Sequence, residues 1–131
     1  MFMMSRRVST ARLVVGFALV AGLAACGGTA TNSAETVPAS PNLTVLGLDI
    51  KFDAREYSVK AGTVSLAYLS KGQQSHNLII EDGAGNKIGK KLLVGPGGQT
   101  GQVIAMTAGT YKMYCDVPGH RQSMNAVLTV T

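Results

Sequence analysis

Thr110-Tyr-Lys-Met-Tyr-Cys-Asp-Val-Pro-Gly-His-Arg-Gln-Ser-Met-Asn-Ala-Val-Leu-Thr-Val130 reads as strand, reversal and strand, with three metal-donor side chains in between. The β-branched and aromatic residues of Thr110–Tyr114 suit a pleated, half-buried surface. Val117-Pro118-Gly119 is turn chemistry, because Pro presets φ and Gly accepts a left-handed φ. Ala126-Val-Leu-Thr-Val130 alternates again, which is the period of a strand with one buried face. Cys115 therefore ends one strand, and His120 and Met124 lie on the connection into the last. One loop brings a thiol, an imidazole and a thioether around a small volume.

Outward from this stretch the chain keeps the same rhythm. Leu43 to Phe52 carries an apolar alternation, followed by Glu56–Val59 and Thr63–Leu69 across a Lys60-Ala-Gly62 turn. Asn77-Leu-Ile-Ile80 stops at Asp82-Gly83, Lys87–Val94 stops at Gly95-Pro-Gly-Gly98, and Gln102–Met106 precedes the opening stretch. No window holds a capped helical period, and no internal repeat is present. Seven to eight short strands with turns at this spacing predict an all-β fold, a β-sandwich.

A fourth donor, His76, stands directly before the Asn77 strand, and the chain has only two histidines. A thiolate with two imidazoles and a weak axial thioether is the ligand set of a blue-copper site, here His76, Cys115, His120 and Met124. Zinc accepts the same atoms, but its structural sites favour several Cys or paired ligands at short spacing. Haem attachment needs Cys-x-x-Cys-His, which is absent. A Cys–His nucleophile leaves His76 and Met124 without a role. Taken singly, a strand-edge His is usually a surface residue and a lone Cys or Met usually packing. Their joint spacing points to metal, whereas Met106 and Met113 read as packing residues.

The stretch Ala108-Gly-Thr-Tyr-Lys-Met-Tyr-Cys-Asp-Val-Pro-Gly-His120 with Met124, together with Ser75-His76-Asn77, resembles the cupredoxin family over Leu43 to Thr131. The Cys-x4-His-x3-Met loop with Pro-Gly before the His is similar to the azurin version. The resemblance implies a Greek-key β-sandwich holding one type 1 copper at one end. It makes His76, Cys115 and His120 the strong ligands and Met124 the long axial one. It also has Asn77 hydrogen-bonding across to the Cys115 loop and the Ser75 carbonyl near the copper. Asp116 stands where many relatives have Ser or Thr, which predicts a different arrangement of the Asn77 bridge. The domain is shorter than azurin and lacks a second Cys for the azurin disulfide, so azurin, plastocyanin and amicyanin affinities all stay open.

That resemblance implies a one-electron carrier and not an enzyme. A copper nitrite reductase needs another copper site and far more chain, and a dinuclear copper site needs a second Cys where this loop has Gly119. Copper storage, delivery or sensing without electron transfer is the alternative. Redox partners are expected to dock transiently near His120, with Pro96, Gly97, Gly98 and Pro118 as a flat rim. Lys87, Lys90 and Lys91 read either as a docking patch for an acidic partner or as a solvated strand face. A monomer is the simplest expectation for a diffusing carrier.

The start of the chain is set apart. Arg6, Arg7 and Arg12 precede an apolar run, Leu13 to Ala25, which is shorter than the ~20 residues that span a bilayer. This is the form of an export signal. Leu23-Ala-Ala-Cys26 resembles the lipobox of bacterial lipoproteins, which implies residues 1–25 as signal, Cys26 as lipidated, and a membrane anchor facing the periplasm or exterior. Arg6-Arg7 also hints at twin-arginine export, although Val8-Ser9-Thr10 lacks the bulky residues that usually follow. Residues 26–41, rich in Gly, Ser, Thr, Asn and Pro, read as lipidated Cys plus flexible linker, and 42–131 as the domain. Net charge is +5 with 12 basic and 7 acidic residues, but three of the basic residues leave with the signal, so the mature chain is near +2. The charge gives no argument for nucleic-acid binding. With Cys26 assigned to lipid, Cys115 is alone in an oxidising compartment, where a metal would occupy it.

Overall fold

Alternation writes the inner faces of the fold. In the computed structural model, which describes residues 36–131, Ala126, Leu128 and Val130 are buried while their neighbours face out. The expected signal of residues 1–25, Cys26 and the linker up to residue 35 lie outside the described residues. The eight strands are β1 (Leu43–Gly47), β2 (Glu56–Val59), β3 (Gly62–Ser70), β4 (His76–Glu81), β5 (Lys87–Val94), β6 (Gln99–Met106), β7 (Gly109–Tyr114) and β8 (Asn125–Val130). Among the described residues there is no helix, and hence none able to cross a membrane. The fold is all-β, a Greek-key sandwich of two sheets.

One sheet has the order β1-β3-β6 and the other β2-β8-β7-β4-β5. Between them lies a core in which Val45, Val64, Leu66, Tyr68, Leu92, Met113 and Leu128 are wholly buried. Each such aliphatic side chain contributes about 1.5–3 kcal/mol by leaving water. Met106 and Met113 are both in this core. Strand β4 is buried on both faces for five residues, so its start is held rigidly.

The first strand ends sooner than its alternation suggests. Leu48 N–H donates to the Lys51 carbonyl at 2.8 Å, turning the chain so that Phe52 returns as a bridge to Gly47. Asp53 fastens the turn: its carboxylate accepts from Leu46 N–H at 2.8 Å and from the Tyr57 hydroxyl at 2.6 Å. Gly47 is needed there, since a Cβ would stand 2.8 Å from the Tyr68 hydroxyl. Strand β6 begins at Gln99, directly after the Gly95–Gly98 turn, three residues earlier than its composition indicates.

Strands β5 and β6 belong to different sheets, and the Gln102 side chain joins them. Its Oε1 accepts from Lys90 N–H at 2.8 Å and its Nε2 donates to the Lys90 carbonyl at 3.1 Å, as a strand partner would. Gly89 makes room: its φ is +69°, and a Cβ would sit 2.5 Å from Gln102 Oε1. Gly89→Ala is expected to lower stability by about 2 kcal/mol, from left-handed strain and loss of the Gln102 clamp. Thermal unfolding should then fall by about 8–16 °C. An unchanged melting point would show that the clamp contributes nothing.

Candidate metal centre

The antiparallel ladder of β4 with β7 pairs Ile79 with Tyr114 and goes no further toward the β4 start. At the next level the Asn77 side chain replaces backbone pairing. Its Oδ1 accepts from Asp116 N–H at 2.9 Å, and its Nδ2 donates to Asp116 Oδ1 at 2.6 Å. The Asn77 main-chain N–H donates to Cys115 Sγ at 3.5 Å. The start of β4 and the segment after β7 are thereby sewn together, so His76 comes beside Cys115.

The loop then folds on itself. His120 N–H donates to the Val117 carbonyl at 2.9 Å across Pro118 and Gly119, and Gly119 has φ +86°. Pro at the second and Gly at the third position is the signature of a type II turn. A single helical turn follows, with Met124 N–H donating to the His120 carbonyl at 2.8 Å. Cys115 N–H closes the loop on the Met124 carbonyl at 3.1 Å. Both ends of the loop thus meet below His120.

The result is a buried cluster at one end of the sandwich. Metal-donor atoms of His76, Cys115 and His120 all lie within 4.8 Å of one another. The two Nδ1 atoms face each other at 3.2 Å, and Cys115 Sγ is 3.9 Å from that of His120. Exposure is 0 % for Cys115 and Met124, 1 % for His76 and 9 % for His120, so His120 alone of the four reaches the surface appreciably. Burial holds His76 below the ordinary histidine pKa, and His120 adds to the effect. The Leu48 carbonyl and Asp49 carboxylate pull weakly the other way. A neutral imidazole offers the lone pair that a metal needs.

Ser75 and Asp116 border this cluster. Ser75 is exposed and lines a shallow depression of about 320 Å³ with His76, Leu93, Val94, Gly95 and Val117. Asp116 is fastened by Lys91, whose Nζ lies 2.7 Å from Oδ1 and 2.8 Å from Oδ2. That ammonium, seconded by the Asn77 hydrogen bond, holds the Asp116 carboxyl below its usual range, against partial desolvation. Lys91 is therefore engaged in an ion pair, which the run of three lysines gave no means of foreseeing. Leu93, 66 % exposed at the edge of the depression, was also not singled out by its position in an alternating strand.

Two converging imidazoles and a cysteine sulfur in a buried cluster fit a soft or borderline transition metal and are unlike the oxygen cages of Mg or Ca. An end-on cluster of this kind in an eight-stranded Greek-key sandwich defines a cupredoxin. The sequence model of the copper-binding proteins of the plastocyanin/azurin family matches residues 40–131, and the chain belongs to that family. Copper is its cofactor. Among solved structures, auracyanin A, a blue copper protein from Chloroflexus aurantiacus, is 26 % identical with a TM-score of 0.62, covering 70 % of this chain and all of that one. An azurin from Methylomonas sp. strain J is 20 % identical with a TM-score of 0.61, covering 71 % of this chain and 99 % of its own. An amicyanin variant is 21 % identical with a TM-score of 0.55, covering 71 % and 85 %. No curated protein matches the sequence.

Proposed function

We propose that the chain is a one-electron carrier in which His76, Cys115 and His120 hold a single type 1 copper, with Met124 as a weak axial donor. The observation that carries this reading is the buried His76–Cys115–His120 cluster, whose donor atoms already converge and whose one surface-reaching member is His120. Copper supplies the one-electron couple between Cu(II) and Cu(I). The protein's part is to hold the donors still through that change. Asn77 ties the Cys115 loop to β4 through three hydrogen bonds, and the helical turn from His120 fixes Met124. Outer hydrogen bonds of this kind orient ligands and tune the metal.

A carrier also needs a face that meets partners briefly. His120 lies beside Val117 and Pro118, and the exposed Leu93 adds apolar surface near the same end. A small apolar face around an electron port suits transient docking, since weak redox encounters bury little area. Residues 1–25 as an export signal and a lipid on Cys26 would place the domain at the outer face of the cell membrane, as a tethered monomer.

Adding Cu(II) to the exported protein is expected to produce an intense thiolate-to-copper absorption that reductant bleaches and oxidant restores. A pale spectrum typical of tetragonal nitrogen and oxygen ligands would overturn the type 1 reading. A blue centre that exchanges electrons only very slowly with small redox proteins would favour storage or delivery instead. Met124→Leu is expected to retain copper and raise the reduction potential, because the oxidised state loses its axial donor. An unchanged potential would remove Met124 from the ligand set.

A further inference from the structure

The ligand loop takes part in a charge pair that the four proposed ligands do not account for. Asp116 follows Cys115 directly, and a carboxylate at that position favours the more positive state of a neighbouring metal. Its Oδ1 accepts from both Lys91 Nζ at 2.7 Å and Asn77 Nδ2 at 2.6 Å, while Oδ2 takes a second contact from Lys91 at 2.8 Å. Asn77 in turn reaches Cys115 Sγ through its main-chain N–H. Lys91 on β5, Asp116 on the loop and Asn77 on β4 thus form one connected line that ends on the thiol. Lys87, on the same strand as Lys91, adds a second favourable charge to Asp116.

We propose that Lys91 is a positioning residue for the copper centre: through Asp116 it cancels the charge beside Cys115 and sets the reduction potential upward. The proposal rests on the reading that Cys115 holds copper. The pair is half-exposed, with side-chain exposures of 45 % and 35 %, and exposed ion pairs of this kind add little to fold stability. The effect of the pair is therefore felt at the metal and hardly at all in the melting point. Removing the ammonium leaves a carboxylate without its contact cation, which stabilises Cu(II). Removing the carboxylate leaves a bare cation that stabilises Cu(I). Removing both restores near-neutrality.

The test is a redox titration of the copper-loaded protein at neutral pH, with the visible spectrum recorded for every variant. Lys91→Met is expected to shift the reduction equilibrium about three- to tenfold toward Cu(II), and Asp116→Asn by a similar factor toward Cu(I). At about 59 mV per tenfold for one electron, these are shifts of about 30–60 mV in opposite directions. The double variant should return to within about twofold of the unaltered protein, Lys91→Arg should match it, and added salt should shrink the Lys91→Met shift. Should Asp116→Asn fail to take up copper, Lys91→Glu serves in its place and must shift further than Lys91→Met. Shifts of the same sign in the two single variants, or no shift at all with an intact blue spectrum, overturn the charge-cancelling role. Absence of the blue spectrum in the unaltered protein overturns the copper ligation instead, so the two failures are separable.

Discussion

Cys115→Ser is expected to abolish the intense visible absorption altogether, leaving a protein that folds but takes copper up weakly and without colour. The thiolate would be the one anionic sulfur donor of the four, and the alcohol that replaces it stays protonated at neutral pH and binds as a hard oxygen. The change is nearly isosteric, so the fold should feel it little as a cavity. It is felt instead as polarity. Cys115 is wholly buried in the core cluster, and a hydroxyl there would face the Asn77 N–H and the His120 ring at the long distances the sulfur now spans. A poorly satisfied buried hydroxyl costs about 1–3 kcal/mol, which lowers the melting temperature of a domain this size by about 4–24 °C. Spectra of the variant across a copper titration, read beside its thermal unfolding, check both parts. Retained blue colour would show that another donor makes the centre.

How much of this was legible in the chain differs by kind of interaction. Strands β2 and β5 have the ends their turn residues indicate, because Lys60-Ala-Gly62 and Gly95-Pro-Gly-Gly98 stop them locally. The close approach of Cys115 and His120 is local too, since the Val117–Gly119 turn alone returns the loop within a few residues. Long-range partners were opaque. Alternation ran on through Leu48, Ile50 and Phe52, yet β1 ends at Gly47 because Asp53 and Tyr57 fasten a turn that no local pattern marks. Gln102 looks like any strand residue, and only the approach of β5 makes its amide a strand partner for Lys90. In the sequence, Asp116 stands out only as a departure from Ser or Thr beside Asn77. Its pairing with Lys91 depends on β5 lying beside β4, a fact of topology rather than of either residue.

Copper loading is expected to raise the melting temperature of the domain by tens of degrees, and stripping the metal with a chelator to return it. His76, Cys115 and His120 sit within 4.8 Å of one another, held by the Asn77 bridge, the type II turn and the Cys115–Met124 hydrogen bond. Little of the binding free energy is then spent on ordering the loop, and the folded chain binds while the unfolded chain, with its donors dispersed, does not. Under those conditions a ligand at about a thousand times its dissociation constant stabilises by about 4 kcal/mol. For a domain of this size each kcal/mol is about 4–8 °C, so the rise is about 16–32 °C. The same preorganisation requires that the metal-free protein unfold cooperatively on its own, unlike small zinc domains that are unfolded without metal. His76→Ala separates the two contributions: it should leave that metal-free transition largely in place and remove most of the copper-dependent rise. A metal-free chain with no cooperative transition would mean that copper organises the site, and that the core of Leu66, Tyr68, Met113 and Leu128 does not hold it ready in advance.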